Sequence, residues 1–139
     1  MRSVDSFNFN GKKALIRVDF NVPIDKNIVT DSSRILAAKN TIDKVCNDGG
    51  SCILMSHLGR PNGFQLEYSL SKIVKTVESV LNKKVFLSED VIGKDAIKKS
   101  SELKQGEVLL LENVRFHNEE TAGDIDFARD LSKLGDCYI

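Results

Sequence analysis

The chain has 139 residues, and twenty Lys and Arg balance twenty Asp and Glu, so no global field draws it to nucleic acid or to an anionic membrane. An apolar fraction of 41% with few aromatics fits one globular domain and excludes the disordered, collagen-like and coiled-coil classes. Three cysteines without a Cys-x-x-Cys pair, two histidines, no signal-like N-terminal core and no run of membrane-span length leave an expected cytosolic protein with small buried thiols, without disulfide or zinc framework.

Taken in order, Lys13 to Val18 is a short, mostly apolar run of strand length that leads into Asp19-Phe20-Asn21-Val22-Pro23, where proline ends the ladder. Asp31-Ser32-Ser33 offers helix-capping side chains, and Ile35, Ala38, Ile42 and Val45 recur at helical spacing until Asn47-Asp48-Gly49-Gly50. Arg34 falls in the first turn of that helix, where a cation is disfavoured by the helix dipole and needs a compensating anion or a solvated rotamer. Ser51 to Met55 predicts a second strand, which stops at Ser56-His57-Leu58-Gly59-Arg60-Pro61. A histidine, a glycine-relaxed turn and an arginine before proline make this exit an anion site in outline.

After a polar loop over 62–68, Ser69 can cap a helix carrying Leu70, Ile73, Val77, Val80 and Leu81. Lys84 to Leu87 predicts a third strand and Val91 to Lys99 a short helix. Val108 to Leu111 is the most continuous apolar run, expected as an interior strand buried on both faces, with the exit Glu112-Asn113-Val114-Arg115-Phe116-His117. An acidic loop then leads to a helix marked by Ile125, Ala128, Leu131 and Leu134, with Gly135 expected as its C-cap. Asp136 to Ile139 reads as the first half of another strand, so the chain is expected to be part of a longer one.

Alternating strands and helices with short links specify an α/β fold: a three-layer, Rossmann-like parallel sheet with helices on both faces. Ligands of such sheets bind beyond the carboxyl ends of the strands. Asp19 and Asn21 follow the first strand, His57 and Arg60 the second and Arg115 the interior one, while Arg34 opens the helix after the first. All six should meet at one edge. Several guanidiniums at one site suit a ligand with more than one negative charge, since each can grip a pair of phosphate or carboxylate oxygens. Each residue alone also has a plainer reading as a turn, cap or surface ion pair; convergence favours the site. His117 and the Glu119-Glu120 pair have no such support and read as loop residues. There is no Gly-x-Gly-x-x-Gly, no Gly-x-x-x-x-Gly-Lys-Ser/Thr and no Gly-x-Ser-x-Gly, so the expected ligand is an acceptor rather than a nucleotide.

Laid out this way, the chain resembles the N-terminal domain of the phosphoglycerate kinase family. The segments that carry the likeness are Arg17-Val18-Asp19-Phe20-Asn21-Val22-Pro23, Arg34-Ile35 with Thr41-Ile42, Ser56-His57-Leu58-Gly59-Arg60-Pro61, Tyr68-Ser69-Leu70 and Leu109-Leu110-Leu111-Glu112-Asn113-Val114-Arg115-Phe116. The resemblance implies a substrate-binding domain over 1–139 of a usually monomeric two-domain enzyme. That enzyme moves a phosphoryl group between 1,3-bisphosphoglycerate and Mg-ADP, giving 3-phosphoglycerate and Mg-ATP. It further implies that Asp19 and Asn21 hold the substrate hydroxyl. His57, Arg60 and Arg115 would grip the phosphate that stays put, and Arg34 would be catalytic at the acyl-phosphate end. Mg-nucleotide would be bound by a domain outside these residues, so the fragment alone is expected to be inactive. A stand-alone anion-binding regulatory module is the competing reading, and a related acyl-phosphate enzyme a third.

Overall fold

The computed structural model describes residues 6–26, 28–59, 68–116 and 125–139, with the side chains of 115 and 125–128 outside the description. Among these residues, seven strands and four helices run in the order β1 (Lys13–Arg17), β2 (Ile24–Asp25), β3 (Ile28–Val29), α1 (Ser33–Asn47), β4 (Ser51–Met55), α2 (Val74–Leu81), β5 (Val85–Leu87), α3 (Lys94–Glu102), β6 (Val108–Leu110), α4 (Ile125–Ser132) and β7 (Cys137–Tyr138). No helix among them is long and apolar enough to cross a membrane.

Five strands form one parallel sheet in the order β5-β6-β4-β1-β7. Their side chains alternate between two cores, as the period of a strand requires. Ala14, Ile16, Cys52, Leu54, Val108 and Leu110 pack with Ile35, Ile42 and Val45 of α1 and with Val77 and Leu81 of α2. Leu15, Ile53, Met55, Leu109 and Leu111 face the other way, against Ala96 of α3 and Leu131 and Leu134 in and just after α4. Helices therefore cover both faces, in the three layers expected. β4 and β6 are buried throughout, and each large aliphatic side chain in them contributes roughly 1.5–3 kcal/mol of burial.

Several elements differ from their sequence expectation for local reasons. The helix expected over 91–99 starts at Lys94, because the Asp90 carboxylate accepts from the backbone N–H groups of Ala96 at 2.8 Å and Asp95 at 3.3 Å and so caps it there. Ser69 caps a single 3₁₀ turn, Leu70–Lys72, by accepting from Ser71 N at 3.1 Å, and the α-helix proper begins only at Val74. Gly135 is no left-handed C-cap: its φ is not positive, and its missing side chain instead lets β1 approach, since a Cβ there would lie 3.0 Å from the Lys13 carbonyl oxygen. The β2–β3 hairpin, with Lys26 at φ 51°, is not legible in strands of two residues each.

Candidate functional site at the carboxyl edge of the sheet

β4 and β6 are neighbours, yet the chain leaves them in opposite directions, from β4 through α2 on one face and from β6 through α4 on the other. Such a switch point opens a crevice beyond the carboxyl ends of the two strands. The exits of β1, β4 and β6 converge there, and buried side chains lock them to one another.

The Ser56 hydroxyl accepts from Phe20 N at 2.9 Å and donates to the His57 carbonyl at 3.0 Å, which joins the exit of β1 to that of β4. Across the switch point, Val114 N donates to the Ser56 carbonyl at 3.0 Å. Asn113, fully buried, donates through Nδ2 to the carbonyls of Leu58 at 2.8 Å and Tyr68 at 2.9 Å. Glu112, also buried, accepts from the Ser69 hydroxyl at 2.6 Å, Leu70 N at 2.7 Å and Asn113 N at 2.8 Å. A buried carboxylate is tolerable only with such a full set of donors. Together these bonds hold the His57 turn at fixed height over the sheet.

On that frame sit the residues singled out in the sequence. Asp19 and Arg34 meet as an ion pair, Nη1 to Oδ1 at 3.2 Å, and the same nitrogen donates to the Asn21 carbonyl at 2.7 Å. The anion required by Arg34 in the first turn of α1 is thus Asp19. The side chains of Arg34 and Asp19 are 53% and 61% exposed, so the pair is worth no more than about 1 kcal/mol. Asn21 accepts through Oδ1 from Gly59 N at 2.9 Å, which ties the first exit to the second. Gly59 has φ +64°, and a side chain there would run into the Tyr68 ring. The glycine is required by both conformation and space.

His57 lies half-buried in the same turn. Arg115 stands on the 3₁₀ turn Val114–Phe116 after β6, which brings its backbone to the same edge. Arg60, His117, Glu119 and Glu120 lie outside the described residues. Beside the Asp19–Arg34 pair, a groove of about 340 Å³ runs between β1 and α1, with Arg17, Ala38 and Thr41 in its walls. Just before α1, the Asp31 carboxyl is held below its ordinary value by the Ser33 hydroxyl and then the Ser33 N–H, with a smaller contribution from Arg34. Among the described residues, no three His, Cys, Asp or Glu gather as a metal site.

The profile of phosphoglycerate kinase matches residues 4–139. The chain belongs to the phosphoglycerate kinase family. A phosphoglycerate kinase of Porphyromonas gingivalis is 42% identical over 161 aligned positions, covering 99% of this chain and 38% of the relative. One from Chloroherpeton thalassium is 45% identical over 139 positions, with 99% and 35% covered. Among solved structures, phosphoglycerate kinase from Pyrococcus horikoshii superposes with a TM-score of 0.87 at 29% identity, over 99% of this chain and 36% of that one. The Coxiella burnetii phosphoglycerate kinase gives 0.83 at 31% identity, over 96% and 33%. The chain thus spans about a third of the length of the phosphoglycerate kinases it matches.

Sequence reasoning missed Ser56, Glu112 and Asn113 as members of the site's frame. The available signal was that Glu112 and Asn113 follow a buried run directly, with no Gly or Pro to turn the chain outward first. Polar residues carried on into a core need partners, and partners there are loops.

Proposed function

We propose that these residues are the N-terminal, acceptor-binding domain of a cytoplasmic phosphoglycerate kinase, which holds 3-phosphoglycerate or 1,3-bisphosphoglycerate while Mg-ADP or Mg-ATP is bound by the remainder of the enzyme. The observation that carries this reading is the joining of three strand exits at one switch point, with Asp19, Asn21, Arg34 and His57 on them and Arg115 on the β6 exit. In this reading Asp19 accepts from the substrate hydroxyl and the Asn21 amide nitrogen donates to it. His57, Arg60 and Arg115 take the phosphate that is not transferred, and the Arg34 guanidinium leaves Asp19 for the acyl-phosphate end.

Phosphoryl transfer asks little covalent work of a protein and depends on positioning and charge. An arginine aimed at the moving group raises the rate only if it binds the transition state more strongly than the substrate, and the loose Asp19–Arg34 pair leaves its guanidinium free to follow developing charge. Arg60→Ala should mainly raise KM in the full-length enzyme. The isolated chain is inactive in this reading because it carries only the acceptor side. Calorimetric titration of the chain with 3-phosphoglycerate at low ionic strength tests the assignment. Heat of binding that weakens as salt screens the arginines is expected. Absence of binding at low salt, or binding undiminished in the double variant Arg60→Ala with Arg115→Ala, would refute it.

A further inference from the structure

α1 ends on the same face of the sheet where β4 begins, and this brings two thiols together away from the carboxyl-edge site. Cys46, in the last turn of α1, and Cys52, at the second position of β4, have sulfurs 4.0 Å apart and stand six positions apart in the chain. Cys46 is half-buried, whereas Cys52 is fully buried and also donates to the Ile42 carbonyl at 3.8 Å. The sulfurs need to approach by only about 2 Å to reach bonding distance. The short connection over 48–50 keeps their effective concentration high.

We propose that Cys46 and Cys52 form a peroxide-sensitive dithiol that closes to a reversible intramolecular disulfide between α1 and β4. The Cys46 thiolate attacks the O–O bond of a hydroperoxide, the oxygen it takes becomes a sulfenic acid, and the alkoxide or hydroxide released is protonated. The Cys52 sulfur then attacks the sulfenic sulfur, the S–S bond forms, and hydroxide leaves with the Cys52 proton as water. Two thiols and one hydroperoxide thus give one disulfide, one alcohol or water, and one further water; a dithiol reductant reverses the step.

The surroundings suit these roles. The hydrogen-bonding contact with Cys52 holds the Cys46 thiol below its ordinary range, and the charge of Lys83 acts in the same direction against burial. Cys52 is pushed up by that same contact and by burial, which makes it the resolving partner rather than the first to react. The third thiol, Cys137 on β7, is pushed up by burial and by Asp136 and serves as an internal comparison.

The test is peptide mapping of the protein treated with stoichiometric hydrogen peroxide, then quenched with an alkylating agent before digestion. Trypsin leaves both cysteines in one peptide, residues 45–72, because the bond after Arg60 precedes proline. The expected result is that this peptide loses the mass of two hydrogens and escapes alkylation while Cys137 remains a free thiol, and that a dithiol reductant restores it. In Cys52→Ala, Cys46 should instead accumulate as a sulfenic acid trapped by dimedone, and in Cys46→Ser the bridge should vanish with the fold retained by circular dichroism. Oxidation of Cys137 as fast as Cys46, or progress of wild-type Cys46 to sulfinic acid without a bridge, would overturn the proposal.

Discussion

The two edges of the sheet are built differently although both carry cations. At the amino edge, Gly11 N donates to the Gly49 carbonyl at 3.2 Å and Gly106 N to the Gly50 carbonyl at 2.7 Å, and the side chains that accept from backbone there, Asp48, Asp136 and Glu107, are exposed or half-buried. Lys12, Lys13 and Lys104 line a groove there, together with buried Ser51 and otherwise exposed or half-exposed neighbours. At the carboxyl edge, buried Ser56, Glu112 and Asn113 brace each strand exit against the next. Charge alone is common on a surface; the carboxyl edge differs in that its bracing side chains are buried, which removes freedom from its loops.

The comparison breaks most decisively in activity. Arg34→Ala in the full-length enzyme should lower kcat by about 10³-fold or more, whereas Lys104→Ala at the amino edge should leave it unchanged. Steady-state kinetics showing that Arg34→Ala retains most of kcat would remove Arg34 from its role. Next in size is the frame. Glu112→Gln turns an acceptor of three donors into a partial donor, and should cost about 1–3 kcal/mol for each donor left unpaired, read as a shift of the urea midpoint. A midpoint unchanged from wild type would show that the brace is dispensable.

A paired glycine experiment sharpens the contrast. Gly106 at the amino edge has φ +80° with open space where a Cβ would stand, so Gly106→Ala should cost only its backbone strain, about 1–2 kcal/mol. Gly59→Ala carries the same strain and must also displace the Tyr68 ring, so it should be the more destabilising and should weaken 3-phosphoglycerate binding besides. Equal midpoints for the two variants would mean that the Tyr68 contact yields at no cost.

The smallest expected effect is acidic and touches both edges. The Asp31 carboxyl at the carboxyl edge and Asp48 at the amino edge are held below the ordinary value of 3.8, Asp48 chiefly by the Lys44 ammonium and then by Phe9 N. Below that value the unfolded chain binds more protons than the folded one. Their stabilisation is therefore complete above pH 3.8 and is lost as pH falls through the lower folded values. Urea midpoints should drop over this acid range, and Asp48→Asn should flatten part of the drop.

Much of this is open to reading from the residues in order. The runs at Lys13 to Val18, Ser51 to Met55 and Val108 to Leu111 are strands at almost those bounds, and the helical spacing from Ile35 to Val45 is α1. Asp19, Asn21, Arg34 and His57 fall at one edge because each stands just after a strand or at the start of the following helix. The start of α3 escapes such a reading because the cap set by Asp90 lies upstream of the turn it stabilises.

By itself, then, the sequence determined which segments are strands and helices, which family they belong to, and that cationic and polar residues lie at strand exits, since all of these depend on local periodicity and on neighbours in the chain. Only the tertiary structure decided that β6 lies between β5 and β4, that Glu112 and Asn113 face loops more than forty residues away, and that Cys46 and Cys52 touch. The order of strands and the partner of a buried polar group are settled by whole layers packing at once. No single stretch of chain carries that information, because a carboxylate after a strand looks the same in sequence whether it meets water or three buried donors.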